Sequence, residues 1–254
     1  MTSPNPRPKT MTLSPVWLIA RRELAGLFAS RAAWWTGAAY LFLTGLLFNA
    51  MALGPGARPS SVVLESFFTL ASGLTLLAVP LLSFRLIAEE RQTGSWVLLE
   101  TAPVTPRQIL WGKFLSVQGF HGLLLGLTAY LPALVFLHGR VAPGHLLAGY
   151  LGLGLLAAAL TGVSLAASAL GRGLLTAGVF AALGAGGWLV LWLAAPVSAP
   201  PLNTALAHLA LYQQHFPPFA RGQVWLKDLW FYGAGAVLGV EWAAVVLRQQ
   251  REKR

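Results

Sequence analysis

Six long apolar runs constrain this chain more than any other feature. Residues 32–53, 66–86, 114–137, 146–170, 174–195 and 229–247 are almost free of charge. Each approaches or exceeds the about 20 residues that a helix needs to cross a bilayer. Of 254 residues, 56% are hydrophobic and 10% charged. A soluble domain carries about 25% charged residues, so an ordinary water-soluble fold is excluded, and disorder more firmly. The expected fold class is an all-α polytopic membrane protein. Gly171-Arg172-Gly173 alone separates the fourth and fifth runs and predicts a tight helical hairpin.

The chain has 18 Lys+Arg against 8 Asp+Glu, a net charge of +10. In a soluble protein that excess points to nucleic acid. Across six spans it reads as orientation, because basic residues collect on the cytoplasmic side. With the N-terminus inside, fourteen basic residues fall in the cytoplasm, and Arg58, Arg140, Arg221 and Lys227 fall outside. Both termini are therefore expected in the cytoplasm. The expected partner is the lipid bilayer and not nucleic acid, and anionic lipid suits the excess charge. Ala50-Met51-Ala52 resembles a signal-peptide cleavage site. The first run lies too far from the start and is too long for a signal core, so it is read as an uncleaved span.

The segments between the spans carry the finer expectations. Residues 1–13 are Pro- and Thr-rich and read as a disordered cytoplasmic tail, and 249–254 as a basic one. Residues 14–30 predict an amphipathic helix in the inner interface, opened by Ser14 as N-cap and Pro15 at the first helical position. Its Trp17, Ala20, Leu24, Leu27 and Phe28 share one face, with Arg22 and Glu23 pointing elsewhere. After the second span, Thr93-Gly94 signals a turn and Ser95 an N-cap for a short helix, Trp96 to Glu100, ended by Pro103. Thr105 with Gln108 predicts a capping box, so the third helix starts in the cytoplasm. Trp111 and Lys113 then mark its passage through the interface. On the outer side, residues 196–228 are too long for a connector. A short helix over Leu202–Tyr212, followed by the kinked aromatic stretch His215 to Phe219, either re-enters the outer leaflet or lies flat on it.

Candidate chemistry is thin. No G-x-x-x-x-G-K-[ST] is present, so the chain binds no ATP through a P-loop and is not expected to be an enzyme. The five histidines, including His138, His145 and His208, form no close pair, and cysteine is absent. No metal or cofactor is expected in this chain. Ser164 with His121 distantly resembles an intramembrane serine hydrolase, although small residues in spans serve packing more often. Glu241, the one acid well inside a span and near Arg248, is expected to snorkel or to form a structural ion pair, with a transport role as the alternative. Gly122-x-x-x-Gly126 and Gly235-x-x-x-Gly239 permit close helix approach.

Two stretches resemble a known family. Glu89-Glu90-Arg91, Gly94-Ser95, Leu98-Leu99, Pro103-Val104-Thr105, Ile109 and Gly112-Lys113 are similar to the loop after span two in permeases of type-2 ATP-binding-cassette (ABC) exporters. Ser95, Val97 and Glu100 depart from residues common there. His215-Phe216, Phe219, Arg221-Gly222, Val224 and Asp228-Leu229 resemble the segment before the last span in the gliding-motility and nitrous-oxide-reductase-maturation branch. The resemblance implies an N-terminal connecting helix carrying Trp17, Arg21, Arg22, Glu23 and Leu24. It implies six spans, a short cytoplasmic coupling helix after span two, and re-entrant or interfacial outer helices before span six. It further implies pairing with a second permease copy, homo- or heterodimeric, in the bacterial inner membrane. A separate ATPase subunit, holding ATP and Mg, would meet the region from Glu89 to Thr105, with Glu89, Glu90, Arg91, Thr93, Trp96, Glu100 and Pro103 among its contacts. A second reading is an ATPase-coupled membrane scaffold that moves no solute.

Overall fold

The computed structural model describes residues 14–52, 59–138, 142–171, 173–194 and 214–252, and every regular element among them is helical. The expected tail 1–13, the short helix Leu202–Tyr212 with His208, and Arg172 lie outside the described residues, as do the side chains of Glu100 and His138.

Helix α1 (Pro15–Ala29) is followed by α2 (Arg31–Leu47), which runs into a π-helical turn at Phe48–Ala52. Helix α3 (Ser60–Ser83) continues as α4 (Arg85–Gln92), with Pro80 inside the last turns of α3. Pro80 cannot donate to the preceding turn, which weakens the helix there. The short α5 (Trp96–Thr101) precedes α6 (Pro106–Thr128) and α7 (Tyr130–His138). The expected third span is thus broken at Ala129, where Pro132 has no N–H for the Thr128 carbonyl. Helices α8 (Pro143–Leu170) and α9 (Leu174–Ala194) form the hairpin, a single turn α10 (Pro217–Ala220) follows, and α11 runs from Leu226 to Glu252. α11 continues through most of the stretch expected as a basic tail.

Four of these helices are long and apolar enough to cross a membrane: Ser60–Gln92, Pro106–Phe136, Pro143–Leu170 and Leu226–Glu252. They are apolar on both their packed and their open sides. Leu77, Leu147, Trp230 and Leu238 are more than 60% exposed. In water such surfaces are a liability; against lipid they cost nothing. The protein is membrane-embedded.

α8 forms the centre of the bundle. It packs along α11, α3, α9 and α6, and its contact with α11 is the most extensive in the fold. The contact is close because Gly162 faces Gly239 and Ala236. A Cβ on Gly162 would lie 2.6 Å from the Ala236 carbonyl oxygen, and one on Gly239 would lie 2.4 Å from Gly162. Of the two expected glycine pairs, Gly235-x-x-x-Gly239 takes part through its second member. Gly122 and Gly126 face open space. At the hairpin, a Cβ on Gly171 would strike the Ala177 backbone at 2.6 Å, which is why α9 can start so close to the end of α8.

Candidate functional site

One end of the bundle gathers α1, α4, α5, the start of α6 and the ends of α8 and α11. At its centre Lys113 is completely buried. Its Nζ lies 3.1 Å from Glu23 Oε2, 2.8 Å from Glu90 Oε2 and 2.9 Å from the Leu86 carbonyl oxygen, to which it donates. Arg22 Nη2 closes the ring, 2.6 Å from Glu23 Oε1 and 3.0 Å from Glu90 Oε1. Burial works against the Arg22 charge, but its contacts with Glu23 and Glu90 outweigh that and raise its pKa. Two acids and two bases thus form a neutral network joining α1, α4 and α6.

This network corrects two expectations. Lys113 does not reach out to the membrane interface, because inside the bundle its ammonium donates to Glu23 and to the Leu86 carbonyl and is ion-paired with Glu90. Glu23 does not point away from the packed face of α1. It lies in the middle of it, beside buried Ile19, Ala20 and Leu27, while Trp17 is 55% exposed and Phe28 38%. The helix rotates because a buried lysine opposite needs a carboxylate more than the bundle needs another aromatic ring. Leu24 is partly buried on the same side, and Arg21 is exposed. The preceding Gly112 makes the approach possible. A Cβ there would sit 2.5 Å from Ile19 Cγ2 and 3.1 Å from the Val16 carbonyl oxygen. Ser14 and Pro15 open α1 as expected, but the Ser14 side chain makes no capping bond.

The loop after α4 is fixed from behind. Gly94 takes a left-handed φ of +75°, which suits glycine. Thr93 Oγ1 donates to the Glu89 carbonyl at 2.9 Å and lies 3.0 Å from Ser95 Oγ. Ser95 therefore does not cap α5 through its side chain, as expected from sequence; its hydroxyl is drawn toward Thr93. Arg91 reaches across the bundle end. Its Nη1 donates to the carbonyls of Ala169 at 3.0 Å and Gly171 at 2.7 Å, its Nη2 donates to Gln250 Oε1 at 2.7 Å, and its guanidinium stacks over Trp96. It thereby satisfies carbonyls left over at the end of α8. Trp96 and Leu99 are buried against Ile87, Leu110, Leu165 and Val240. Val97 and Leu98, on the other side of α5, are 55% and 73% exposed. The leucine pair is thus divided, one inward and one outward. Beyond Pro103, Thr105 and Gln108 form the expected capping box at the start of α6.

Glu89 lies on a different side of α4 from Glu90, bonded to Arg85. Glu241 is held structurally, but by Arg107 at 2.6 Å. Arg248 is taken by Glu252, so proximity along the helix was the wrong guide. His121 is buried edge-on to Tyr40, and neither of its ring nitrogens has a hydrogen-bond partner. No Ser164–His121 pair therefore exists, and the hydrolase reading loses its geometry.

The opposite end contains the second motif. His215 Nδ1 lies 2.7 Å from Asp228 Oδ1, both residues are buried, and Phe231 stacks on the imidazole at 3.8 Å. Phe216 and Phe219 are wholly buried, the latter against Gly152. Gly222 has φ +81° and passes against His145, whose Nε2 is 2.7 Å from the Ala220 carbonyl. Arg221 Nε is 2.8 Å from Glu65 Oε1. These residues clamp α10 to α8, α3 and α11. Sequence reasoning missed Gly152, Glu65 and His145, because their partners are more than 60 residues away.

No family model matches the chain. It is 36% identical over 118 residues to the probable ABC transporter permease protein NosY of Pseudomonas aeruginosa, a match covering 44% of this chain and 41% of that protein. It is 33% identical over 127 residues to the probable ABC transporter permease protein NosY of Stutzerimonas stutzeri, covering 46% and 42%. The chain thus matches about two fifths of the length of these curated relatives. Over that part of its length, on an all-helical membrane-embedded fold, the chain is similar to proteins named probable ABC transporter permease.

Proposed function

We propose that this chain is the permease subunit of an ABC exporter, driven by ATP hydrolysed with Mg on a separate cytoplasmic ATPase subunit. α5 is the element on which that ATPase acts. The chain crosses the bacterial inner membrane six times, the four long apolar helices being joined by α2 with its π-helical continuation and by α9. Both ends face the cytoplasm, and a second permease copy completes the pathway. Similarity to proteins named ABC transporter permease supports the subunit assignment.

The observation that carries the role of α5 is its two-sidedness. Trp96 and Leu99 lock it into the bundle while Val97 and Leu98 project from the end. A push on Val97 and Leu98 passes through Trp96 to Arg91, and so to α8 and α11, and along α4 to the Glu90–Lys113 network. Such a push drives transport only if the ATPase's contacts differ between the two permease states. The test is co-expression with candidate ABC ATPase subunits. V97D/L98D should release an ATPase that co-purifies with the wild-type permease. Retention at the wild-type level would overturn α5 as the docking element.

A further inference from the structure

A cavity of about 170 Å³ lies between α1, α2 and the α3–α4 junction, beside the charge network and outside α5. Its polar wall is made of Glu23, Arg85, Glu89 and Glu90. Its apolar wall includes Leu27, Ala33, Leu81 and Leu82. We infer that this cavity holds the headgroup of a zwitterionic phospholipid carrying a primary ammonium, a phosphatidylethanolamine, from the leaflet on that side of the membrane.

Charge complementarity selects the headgroup. Arg85 has five N–H donors, and its bonds from Nε and Nη2 to one oxygen of Glu89 leave others for a phosphate. Glu89 Oε2 stays available to an ammonium. Glu23 and Glu90 are already balanced by Lys113 and Arg22, so the walls and the network behind them sum to zero. A headgroup of net negative charge would leave Glu89 without a cation of its own, since Arg85 is the only basic residue among the described residues lining the cavity. A zwitterion meets a partner for each of its charges. Basic pockets between membrane helices take anionic lipids; this pocket has the opposite wall chemistry.

Size and position agree. The cavity is smaller than the about 300–1,000 Å³ of a site enclosing a drug-sized ligand, so a headgroup fits and the chains stay outside. Leu81, 52% exposed, also lines a second, apolar cavity of about 290 Å³ with Leu77, Pro80, Phe84 and Gly178. A lipid seated by its headgroup would cross Leu81 and lay a chain there. The site does not depend on the identity of any ATPase. It requires only that the chain is embedded in a bilayer.

The full chain, purified in mild detergent, is mixed with equal amounts of phosphatidylethanolamine and phosphatidylglycerol of identical chains. Retained lipid is read by native mass spectrometry. The expected result is at least fivefold preference for phosphatidylethanolamine, abolished by R85Q/E89Q and unchanged by R248Q. L81W, which alters no charge and puts a larger side chain into the wall the two cavities share, should also abolish it and covers the case in which R85Q/E89Q does not fold. Equal retention of the two lipids by the wild type, or preference surviving in L81W, would overturn the site. Soluble phosphoethanolamine competing as well as the lipid would overturn the lipid assignment.

Discussion

At the residue scale, the decisive side chain is Lys113. An ammonium with no exposure costs several kcal/mol to desolvate, and the two carboxylates and the Leu86 carbonyl recover that cost only together. Removing one member leaves buried charge uncompensated. K113M should destabilise the folded permease by about 3–5 kcal/mol, read as lost thermal stability in detergent. The triple variant K113M/E23Q/E90Q, which leaves no buried charge unpaired because the remaining Arg22 is more than half exposed, should recover much of it. The same geometry separates two adjacent acids. E90K places a third cation in the network and should lower folded yield on size exclusion. E89K meets a half-exposed position outside the network and should elute as the wild type does. The sequence made Glu89 and Glu90 equivalent, because helical periodicity without a packing partner does not say which one faces inward.

At the element scale, α5 was legible before the structure. A turn glycine, a closing proline and a capping box placed its ends within a residue. What its sides do was not legible, since a six-residue helix has no periodicity to read. Arg91 holds it by bonding to α8 and α11, 78 and 159 residues away. R91A should leave the bundle folded and loosen residues 93–101. Hydrogen exchange should rise there and stay unchanged at the centre of α8, and equal protection in both regions of the variant would contradict the latch. The face of α1 was misread for a related reason. Hydrophobicity alone grouped Trp17 and Phe28 with Ala20 and Leu27 on one face, whereas packing buries Ala20, Leu27 and Glu23 together and leaves both aromatics exposed.

At the scale of the whole molecule, α8 and α11 meet through Gly162 and Gly239 with no room for a side chain. G162L should prevent accumulation of folded protein, whereas G122A, which faces open space, should be tolerated. Ion pairs and hydrogen bonds bring α1, α4, α6 and the ends of α8 and α11 to one end, and Glu65, His145, His215 and Arg221 to the other. That separation is the one the basic residues demand of a chain oriented by charge. The chain lacks cysteine, so single cysteines report topology directly. V97C should react with an impermeant thiol reagent only in inverted vesicles, and Q223C only in intact cells. Labelling of both from the same side would refute the orientation.

The sequence by itself determined the helical class, the bilayer as solvent, the positions of the long apolar helices and the ends of α5. Each of these rests on local composition, on run length or on a cap within a few residues. Only the tertiary structure decided that Lys113 is a buried counter-ion, that Glu241 pairs with Arg107, and that Gly162 meets Gly239 while Gly122 faces open space. A lipid-facing and a bundle-facing residue are both apolar in a membrane protein. Hydrophobicity therefore loses the power to say which face is buried, and that is settled by which polar groups find partners across the bundle.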